Sequence, residues 1–296
     1  MYYADNTKVF LNGNFILAKD AQTSLFGQSL HYGNGVFEGI RSYKTEEGTR
    51  VFKSEEHYQR LLFSAKKSHL KVGYAVEELM SITNQLLEMN NLSDAYIRPL
   101  VYPGVNMTLA PTEESHLFIC AWNWGKYLGD GTQRLMTSPF ERPNPKSCHV
   151  EAKVTGHYTN SILASTDAKA KGYDEALLLD AHGFIAEGPG ANFFFEKDGK
   201  LFTPKRGNIL PGITRSTIID IARDLGYQVE EGQYTPSDLD NADGAFFTGT
   251  AVEVAGIASL NDKGFNKEWQ DTIGFELSHA YSMTVVGQYK QSPTVI

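Results

Sequence analysis

Cysteine is scarce in this sequence, which has only Cys120 and Cys148 among 296 residues. Their positions show no metal-ligand spacing and no disulfide framework. No apolar run approaches the ~18 residues that a transmembrane helix needs. The N-terminal residues also lack the basic and apolar regions of a signal peptide. We therefore expect a reduced, cytoplasmic protein that does not span or bind a membrane.

Basic residues are also few relative to acidic ones. Lysine and arginine total 27 against 35 aspartates and glutamates, so the formal net charge is −8. This balance argues against nucleic acid as a partner, because that function requires a basic surface. Hydrophobic residues make up 41% and charged residues 21%, which is typical of globular proteins and excludes disordered, collagen-like and coiled-coil chains.

The length is about twice that of a ~150-residue domain, which predicts two domains. We expect a smaller N-terminal domain at 1–123, a glycine-rich interdomain loop at 124–132, and a larger C-terminal domain at 133–296. Strand and helix patterns intermingle in both without regular βαβ alternation. This arrangement is typical of the α+β class.

Turn signals and periodicity locate individual elements. Asn12-Gly13 predicts a hairpin over 7–16, and two further hairpins are expected over 175–187 and 192–203. Apolar residues at helical spacing predict helices at 54–69, 76–89, 158–171, 214–225 and 268–283.

Lys153 is the first candidate for chemistry. It lies where an apolar strand precedes a helix, between the small residues of Glu151-Ala152-Lys153-Val154-Thr155-Gly156. Partial burial at such a place lowers the pKa of a lysine and yields the neutral amine that a Schiff base requires. The alternative is that Lys153 is an ordinary charged side chain at the solvated surface.

Glu187 is a candidate acid for a ring nitrogen. It ends a predicted strand and is followed by Gly188-Pro189-Gly190, where the backbone can approach a ligand closely. A carboxylate facing a heteroaromatic nitrogen would keep that nitrogen protonated. The alternative is a carboxylate that caps the turn.

Two turns could bind a phosphate. Leu210-Pro211-Gly212-Ile213-Thr214-Arg215 enters a helix, whose first amides and dipole suit an anion, with the Thr214 hydroxyl as a further donor. Thr248-Gly249-Thr250-Ala251 offers small residues, amides and hydroxyls of the same kind. Neither turn matches a P-loop or a dinucleotide-binding motif.

Two arginines could bind anionic groups. Arg60 lies beside Leu61 and Leu62 on a predicted apolar helix face, where either a phosphate or an ordinary salt bridge would satisfy it. Arg98 lies in a predicted strand between Tyr96 and Pro99 and suits a carboxylate ligand in the same way.

Together these residues match what pyridoxal phosphate needs: an amine, an acid for the ring nitrogen, and an anion site. The sequence resembles the branched-chain amino-acid aminotransferases, which are fold-type IV pyridoxal-phosphate enzymes of the class IV aminotransferase family. The similarity runs from about Phe10 to about Ala258. The matching segments are His31-Tyr32-Gly33, Val36-Phe37-Glu38-Gly39-Ile40-Arg41, His57-Tyr58-Gln59-Arg60-Leu61, Ala95-Tyr96-Ile97-Arg98-Pro99-Leu100, Glu151-Ala152-Lys153, Ala186-Glu187-Gly188, and the two turns.

The resemblance implies a two-domain α+β fold like that of D-amino-acid aminotransferase, with pyridoxal 5′-phosphate at the domain interface. It implies transamination of leucine, isoleucine and valine with 2-oxoglutarate by a ping-pong mechanism, and a homodimer. Lys153 would form the Schiff base and shuttle the proton. The implied cofactor-binding residues are Arg60, Lys153, Tyr158, Glu187, Leu210, Ile213, Thr214 and Thr250.

The resemblance also implies a substrate site. Tyr96, with the amides of Thr250 and Ala251, would bind the α-carboxylate. Phe37 and Tyr158 would line the side-chain pocket, joined by Tyr32 from a second subunit. Arg98 would bind the distal carboxylate of glutamate.

Other members of the fold are alternatives, namely the D-amino-acid aminotransferases, the aminodeoxychorismate lyases and the amine transaminases. D-amino-acid aminotransferases place a histidine two residues after the arginine, where this sequence has Leu100. Aminodeoxychorismate lyases use the same lysine and acid. A non-catalytic relative would be expected to lose one of these two residues, and this sequence has both Lys153 and Glu187. The sequence departs from the family at His157, where a small or amide residue is more usual.

Overall fold

The computed structural model describes residues 2–125, 128–129 and 131–289. The chain forms two compact units. Unit 1 comprises Met1–Gly125 and Ala152–His157, and unit 2 comprises Lys126–Glu151 and Tyr158–Ile296. Residues 126, 127 and 130 of the expected interdomain loop lie outside the described residues.

Unit 1 combines an antiparallel sheet with helices. Its strands are β1 (Lys8–Leu11), β2 (Asn14–Leu17), β3 (Val36–Phe37), β4 (Ile40–Thr45), β5 (Gly48–Val51), β6 (Ala95–Pro103) and β7 (Ser115–Trp122). Its helices are α1 (Gln28–Tyr32), α2 (Ser54–Lys67) and α3 (Val76–Met89). The strand order is β2-β1-β7-β6-β4-β5, and β3 also pairs with β6.

The first hairpin of unit 1 confirms its prediction. Strands β1 and β2 pair across Asn12 and Gly13, which both have positive φ angles, of 47° and 91°. Positive φ at both central residues is what a tight hairpin turn requires, and asparagine and glycine adopt it readily.

The core of unit 1 lies between one face of the sheet and helices α2 and α3. Tyr58 and Leu61 of α2, Leu79 and Leu86 of α3, and Ile97 of β6 are completely buried in one cluster. The apolar stripe that predicted α2 is therefore its core face. The opposite face of β6, which carries Tyr96 and Arg98, points away from this cluster.

Unit 2 contains a larger mixed sheet. Its strands are β8 (Gln133–Thr137), β9 (Glu175–Leu179), β10 (Ile185–Glu187), β11 (Asn192–Lys197), β12 (Lys200–Pro204), β13 (Val229–Gly232), β14 (Gly244–Gly249), β15 (Glu253–Leu260) and β16 (Lys263–Gly264). Its helices are α4 (Tyr158–Ala170), α5 (Ile213–Asp224) and α6 (Ile273–Val285).

Six strands of this sheet close into a ring. The order β10-β9-β8-β15-β14-β11 is closed by pairing between β10 and β11. Phe193, Phe195 and Phe247 pack in one cluster with Leu177 and Ile257. Closure sets the ends of β10, β11 and β14 side by side.

The α+β class is confirmed, as are the hairpins β9–β10 and β11–β12. The last helix differs from its prediction at 268–283. Trp269–Asp271 forms a short 3₁₀ turn, and α6 begins only at Ile273, because the Thr272 hydroxyl accepts a hydrogen bond from the Phe275 N–H and caps the helix. No described helix is both long and apolar enough to cross a bilayer.

Candidate active site

Lys153 lies in unit 1, on the returning segment Ala152–His157. Its carbonyl accepts a hydrogen bond from the Phe37 N–H at 3.1 Å, and its own N–H donates to Ser64 Oγ at 3.0 Å. Val154 also forms a β-bridge with Val36. The backbone of the candidate nucleophile is therefore held between β3 and α2, which fixes the origin of its side chain.

A close approach of two glycines fixes the same segment further along. Gly33 has φ +70°, and a Cβ at this position would lie 2.7 Å from Gly156 Cα. The Thr155 hydroxyl donates to the Gly33 carbonyl at 2.6 Å. A side chain at Gly33 would therefore force apart the two backbone segments that carry Gly33 and Gly156.

The Phe37 ring brings three predicted residues together. Lys153 Nζ lies 5.0 Å from its centroid and the Arg98 guanidinium 4.8 Å. Arg98 Nη2 donates to the Tyr96 hydroxyl at 3.2 Å. Among the described residues Arg98 Nε has no hydrogen-bond partner although it is buried. An unsatisfied buried donor of this kind suits a ligand carboxylate.

A cavity of about 750 Å³ opens beside Arg98 within unit 1. Leu100, Trp122 and Trp124 form part of its wall. The wall is thus largely apolar, with one guanidinium in it.

Arg60 makes a salt bridge in the structure, the alternative that the sequence left open. Its Nε and Nη2 donate to the two oxygens of Glu38 at 2.6 and 2.9 Å, and His57 Nδ1 lies 2.8 Å from Glu38 Oε2. Glu38 is completely buried. Its role as a partner was missed, because the spacing of 19 and 22 residues carries no local signal.

The charge state of this cluster follows from its partners. Burial by itself would raise the pKa of Glu38, but Arg60 and His57 together hold that pKa far below its ordinary value. Burial lowers the pKa of His57 despite the nearby carboxylate. Glu38 is therefore ionised and His57 is neutral near pH 7.

Glu187 is buried at the end of β10 in unit 2. Arg142 Nε donates to its Oε1 at 2.5 Å, Asn192 Nδ2 donates to its Oε2 at 2.9 Å, and the Leu210 N–H donates at 3.1 Å. Arg142 and Asn192 were missed by sequence reasoning. Arg142 lies in a stretch interrupted by prolines, and the pattern around Asn192 indicates only a strand.

Asn192 connects Glu187 to the two predicted phosphate turns. It pairs with Glu187 on β10 and with Thr248 on β14, and its amide donates to the Leu210 carbonyl at 3.0 Å. A Cβ at Gly212 would overlap Asn192 Oδ1. The acid and both predicted phosphate turns are thus adjacent within unit 2.

The two turns have the features expected of an anion site. The first N–H groups of a helix have no acceptor within the helix. Helix α5 begins at Ile213, and no side chain caps it. Thr214 is buried in this first turn. Thr248 Oγ1 is buried without a hydrogen-bond partner among the described residues, and Thr250 and Ala251 follow in the turn after β14.

Two further predicted residues lie at the ends of helices. Tyr158 begins α4. Tyr32 is half exposed, and its hydroxyl donates to the Met107 carbonyl at 3.2 Å. The structure describes no group of three or more histidine, cysteine, aspartate or glutamate side chains that could bind a metal.

The sequence matches the family model of amino-transferase class IV over residues 35–260. The chain belongs to the class IV aminotransferases. The match confirms the resemblance at the level of the family.

Known proteins similar to this class IV aminotransferase share a narrower name. A branched-chain-amino-acid aminotransferase of Pseudomonas aeruginosa is 37% identical over 286 residues, covering 95% of this chain and 93% of that protein. A branched-chain aminotransferase from Thermoproteus uzoniensis, crystallised with norvaline, has a TM-score of 0.91 at 37% identity and covers 96% of each chain. The branched-chain amino acid aminotransferase from Thermobaculum terrenum, solved in its PLP-bound holo form, has a TM-score of 0.90 at 32% identity, and covers 96% of this chain and 95% of its own.

Proposed function

We propose that this protein is a branched-chain amino-acid aminotransferase that uses pyridoxal 5′-phosphate. It transfers the amino group of leucine, isoleucine or valine to 2-oxoglutarate and releases the branched 2-oxo acid and L-glutamate. The observation that carries the proposal is the Phe37 ring, which lies 5.0 Å from Lys153 Nζ and 4.8 Å from the Arg98 guanidinium. A reactive amine and a carboxylate-binding arginine thus share one apolar surface. The relatives' names support the same activity.

The residues present fit the cofactor. The uncapped start of α5 and the unsatisfied Thr248 hydroxyl suit a phosphate, and Glu187 offers a buried carboxylate for a ring nitrogen. When bound, pyridoxal phosphate supplies an electron sink for the negative charge that develops at the substrate Cα.

Each residue has a proposed task. Lys153 Nζ holds the cofactor covalently and carries a proton to and from the substrate Cα. Glu187 would keep the ring nitrogen protonated, Tyr158 would lie by the phenolic oxygen of the cofactor, and Leu210 would pack against the ring. The phosphate is bound by Arg60, Ile213, Thr214 and Thr250.

The substrate residues must accept two different side chains. Tyr96 and the amides of Thr250 and Ala251 bind the α-carboxylate, while Phe37 and Tyr158 contact an apolar side chain. Arg98 binds the distal carboxylate of glutamate. Without a partner, burial of this carboxylate in an apolar pocket would cost several kcal/mol of binding free energy.

We also propose that the protein is a homodimer. Segments 25–32 and 105–110 form one surface, because Asn106 N–H donates to the Phe26 carbonyl and Gln28 Nε2 donates to the Thr108 carbonyl. Leu25, Phe26, Leu30, Val105 and Leu109 expose between 61% and 86% of their area there. Such a patch is typical of a subunit interface. Tyr32 lies within it and would enter the partner's site.

A cytoplasmic location is part of the proposal. Cys120 and Cys148 are both free thiols in the structure, as a reducing compartment would keep them.

The deciding experiment follows the absorption of the purified holoenzyme. We expect L-leucine to remove the cofactor band and D-alanine to leave it unchanged. A response to D-alanine alone would identify a D-specific transaminase, and an inert band would indicate a lyase or an inactive relative.

Replacement of Lys153 tests the assignment of the nucleophile. Lys153→Ala should lower the turnover number at least ~100-fold while cofactor binding persists, because a proton carrier is lost. Turnover close to that of the wild type would contradict the assignment.

A further inference from the structure

Glu38 is a completely buried carboxylate to which the proposed chemistry gives no task. It follows Phe37 directly, and its Oε2 also accepts the Gly39 N–H at 3.2 Å. With Arg60 Nε and Nη2 and His57 Nδ1, the carboxylate accepts four hydrogen bonds. It is held by β3, the turn after it and α2 together.

Stability alone does not account for this arrangement. Removing a carboxylate and a guanidinium from water costs several kcal/mol per ion, and well-packed apolar residues often stabilise a core as much or more. What a bidentate pair adds is geometry, since it fixes the plane and rotation of the guanidinium.

The geometry of Arg60 shows what is fixed. Glu38 takes the Nε–Nη2 edge of the guanidinium, which accounts for two of its five N–H groups. The other three point away from Glu38, because the group is planar. Glu38 therefore sets the direction in which these three N–H groups of Arg60 point.

We propose that Glu38 is a positioning residue for the cofactor phosphate, which it serves by fixing the guanidinium of Arg60. This inference rests on the proposed role of Arg60. Because Glu38 neutralises the charge of Arg60, the arginine contributes directed hydrogen bonds to the phosphate more than net charge.

His57 completes the arrangement. It lies three residues before Arg60 on α2, so both side chains leave the same face of the helix. Because Glu38 is ionised and can only accept, the Nδ1 of His57 carries the proton. The second donor prevents the carboxylate from turning away from Arg60.

The test compares pyridoxal 5′-phosphate with pyridoxal, which lacks the phosphate. Both are titrated into the full-length apoenzyme, and the ratio of their dissociation constants is the readout. Glu38→Gln should lower the preference for the phosphorylated ligand by at least about tenfold, with pyridoxal binding little changed. Arg60→Met should lower it likewise, and the double variant should lose no more than Arg60→Met alone.

Glu196→Gln is the matched control. Glu196 is an equally buried carboxylate in unit 2, where it accepts the Ile273 N–H, and it belongs to no part of the site. We expect it to lower the melting temperature and leave the ligand ratio unchanged.

Each other outcome identifies what is wrong. An unchanged ratio in Arg60→Met overturns the proposed role of Arg60. A reduced ratio in Arg60→Met but not in Glu38→Gln overturns the role of Glu38 alone. Equal weakening of both ligands in Glu38→Gln means that Glu38 is only structural, and tighter binding of the phosphorylated ligand means that net charge outweighs orientation.

A second substitution covers the case in which Glu38→Gln does not fold. Glu38→Asp keeps the charge but shortens the side chain by one methylene, so it cannot keep both hydrogen bonds to Arg60. We expect the same reduced ratio, and a wild-type ratio in this variant would overturn the proposal.

Discussion

In the proposed mechanism Arg98 meets substrates that differ in charge. It is surrounded by the rings of Phe37, Tyr96 and Trp122, at 4.8 to 6.0 Å from their centroids. These rings stabilise the guanidinium without an anion present. The cation can therefore stay in place beside a leucine side chain and still pair with a carboxylate through Nε.

Replacement of Arg98 should separate the two half-reactions. In Arg98→Met we expect kcat/KM for 2-oxoglutarate to fall at least about 100-fold, since its distal carboxylate loses its partner in an apolar site. The half-reaction with leucine should be largely kept. Single-turnover kinetics with each substrate measure this.

A surface arginine provides the control for that change. Arg134 is about half exposed and pairs with Asp174, so Arg134→Met should leave both half-reactions unchanged. Equal losses on both substrates in Arg98→Met would show that Arg98 has another task.

At the scale of elements, the close backbone contact between Gly33 and Gly156 helps to position the segment that carries Lys153. Gly33→Ala would incur backbone strain at φ +70° and also meet Gly156 Cα at 2.7 Å. We expect a loss of unfolding free energy of about 2–4 kcal/mol, and a lower turnover number because the backbone of Lys153 is displaced. Urea unfolding and steady-state assays measure the two effects.

Gly199 offers a nearly matched comparison. Its φ is +71°, but a Cβ there meets nothing within 4 Å. Gly199→Ala should therefore cost only the strain, about 1–2 kcal/mol, and leave turnover unchanged. The same loss of stability in both variants would mean that the contact with Gly156 has no energetic role.

The sequence predicted those elements whose signal is local. Helices α2 and α3 could be predicted because their apolar residues recur within a few positions. The bounds of α3 agree with the prediction, and α2 ends two residues earlier than predicted. The joining of Lys153 to Phe37, more than 100 residues apart, has no such local pattern. The same is true of Glu38 with Arg60 and of Glu187 with Arg142. Candidate residues could be named from the sequence, but their partners required the structure.

The whole molecule is proposed to act as a dimer, and its exposed surface allows a test. Leu30→Glu and Leu109→Glu place charges in the patch that we assign to the interface, where the two leucines expose 61% and 86% of their area. We expect each to shift the protein toward monomer and to lower activity, because Tyr32 would no longer reach the partner's site. Sedimentation velocity and activity on the same samples measure this.

Met89 is the control for charge introduced at an exposed apolar position. It ends α3, outside the patch, with half of its area exposed. Met89→Glu should sediment as the wild type does. Loss of the dimer in this variant, or its retention in both leucine variants, would contradict the assigned interface.

The return of Ala152–His157 to unit 1 also bears on how the chain folds during synthesis. The first 125 residues leave the ribosome without the segment that bridges to Val36 and hydrogen-bonds to Ser64. At a rate of about 5–20 residues per second, residue 157 follows residue 125 by about 2–6 s. For that interval the nascent chain has no Lys153 in place, so this lysine is among the last parts of its unit to be added.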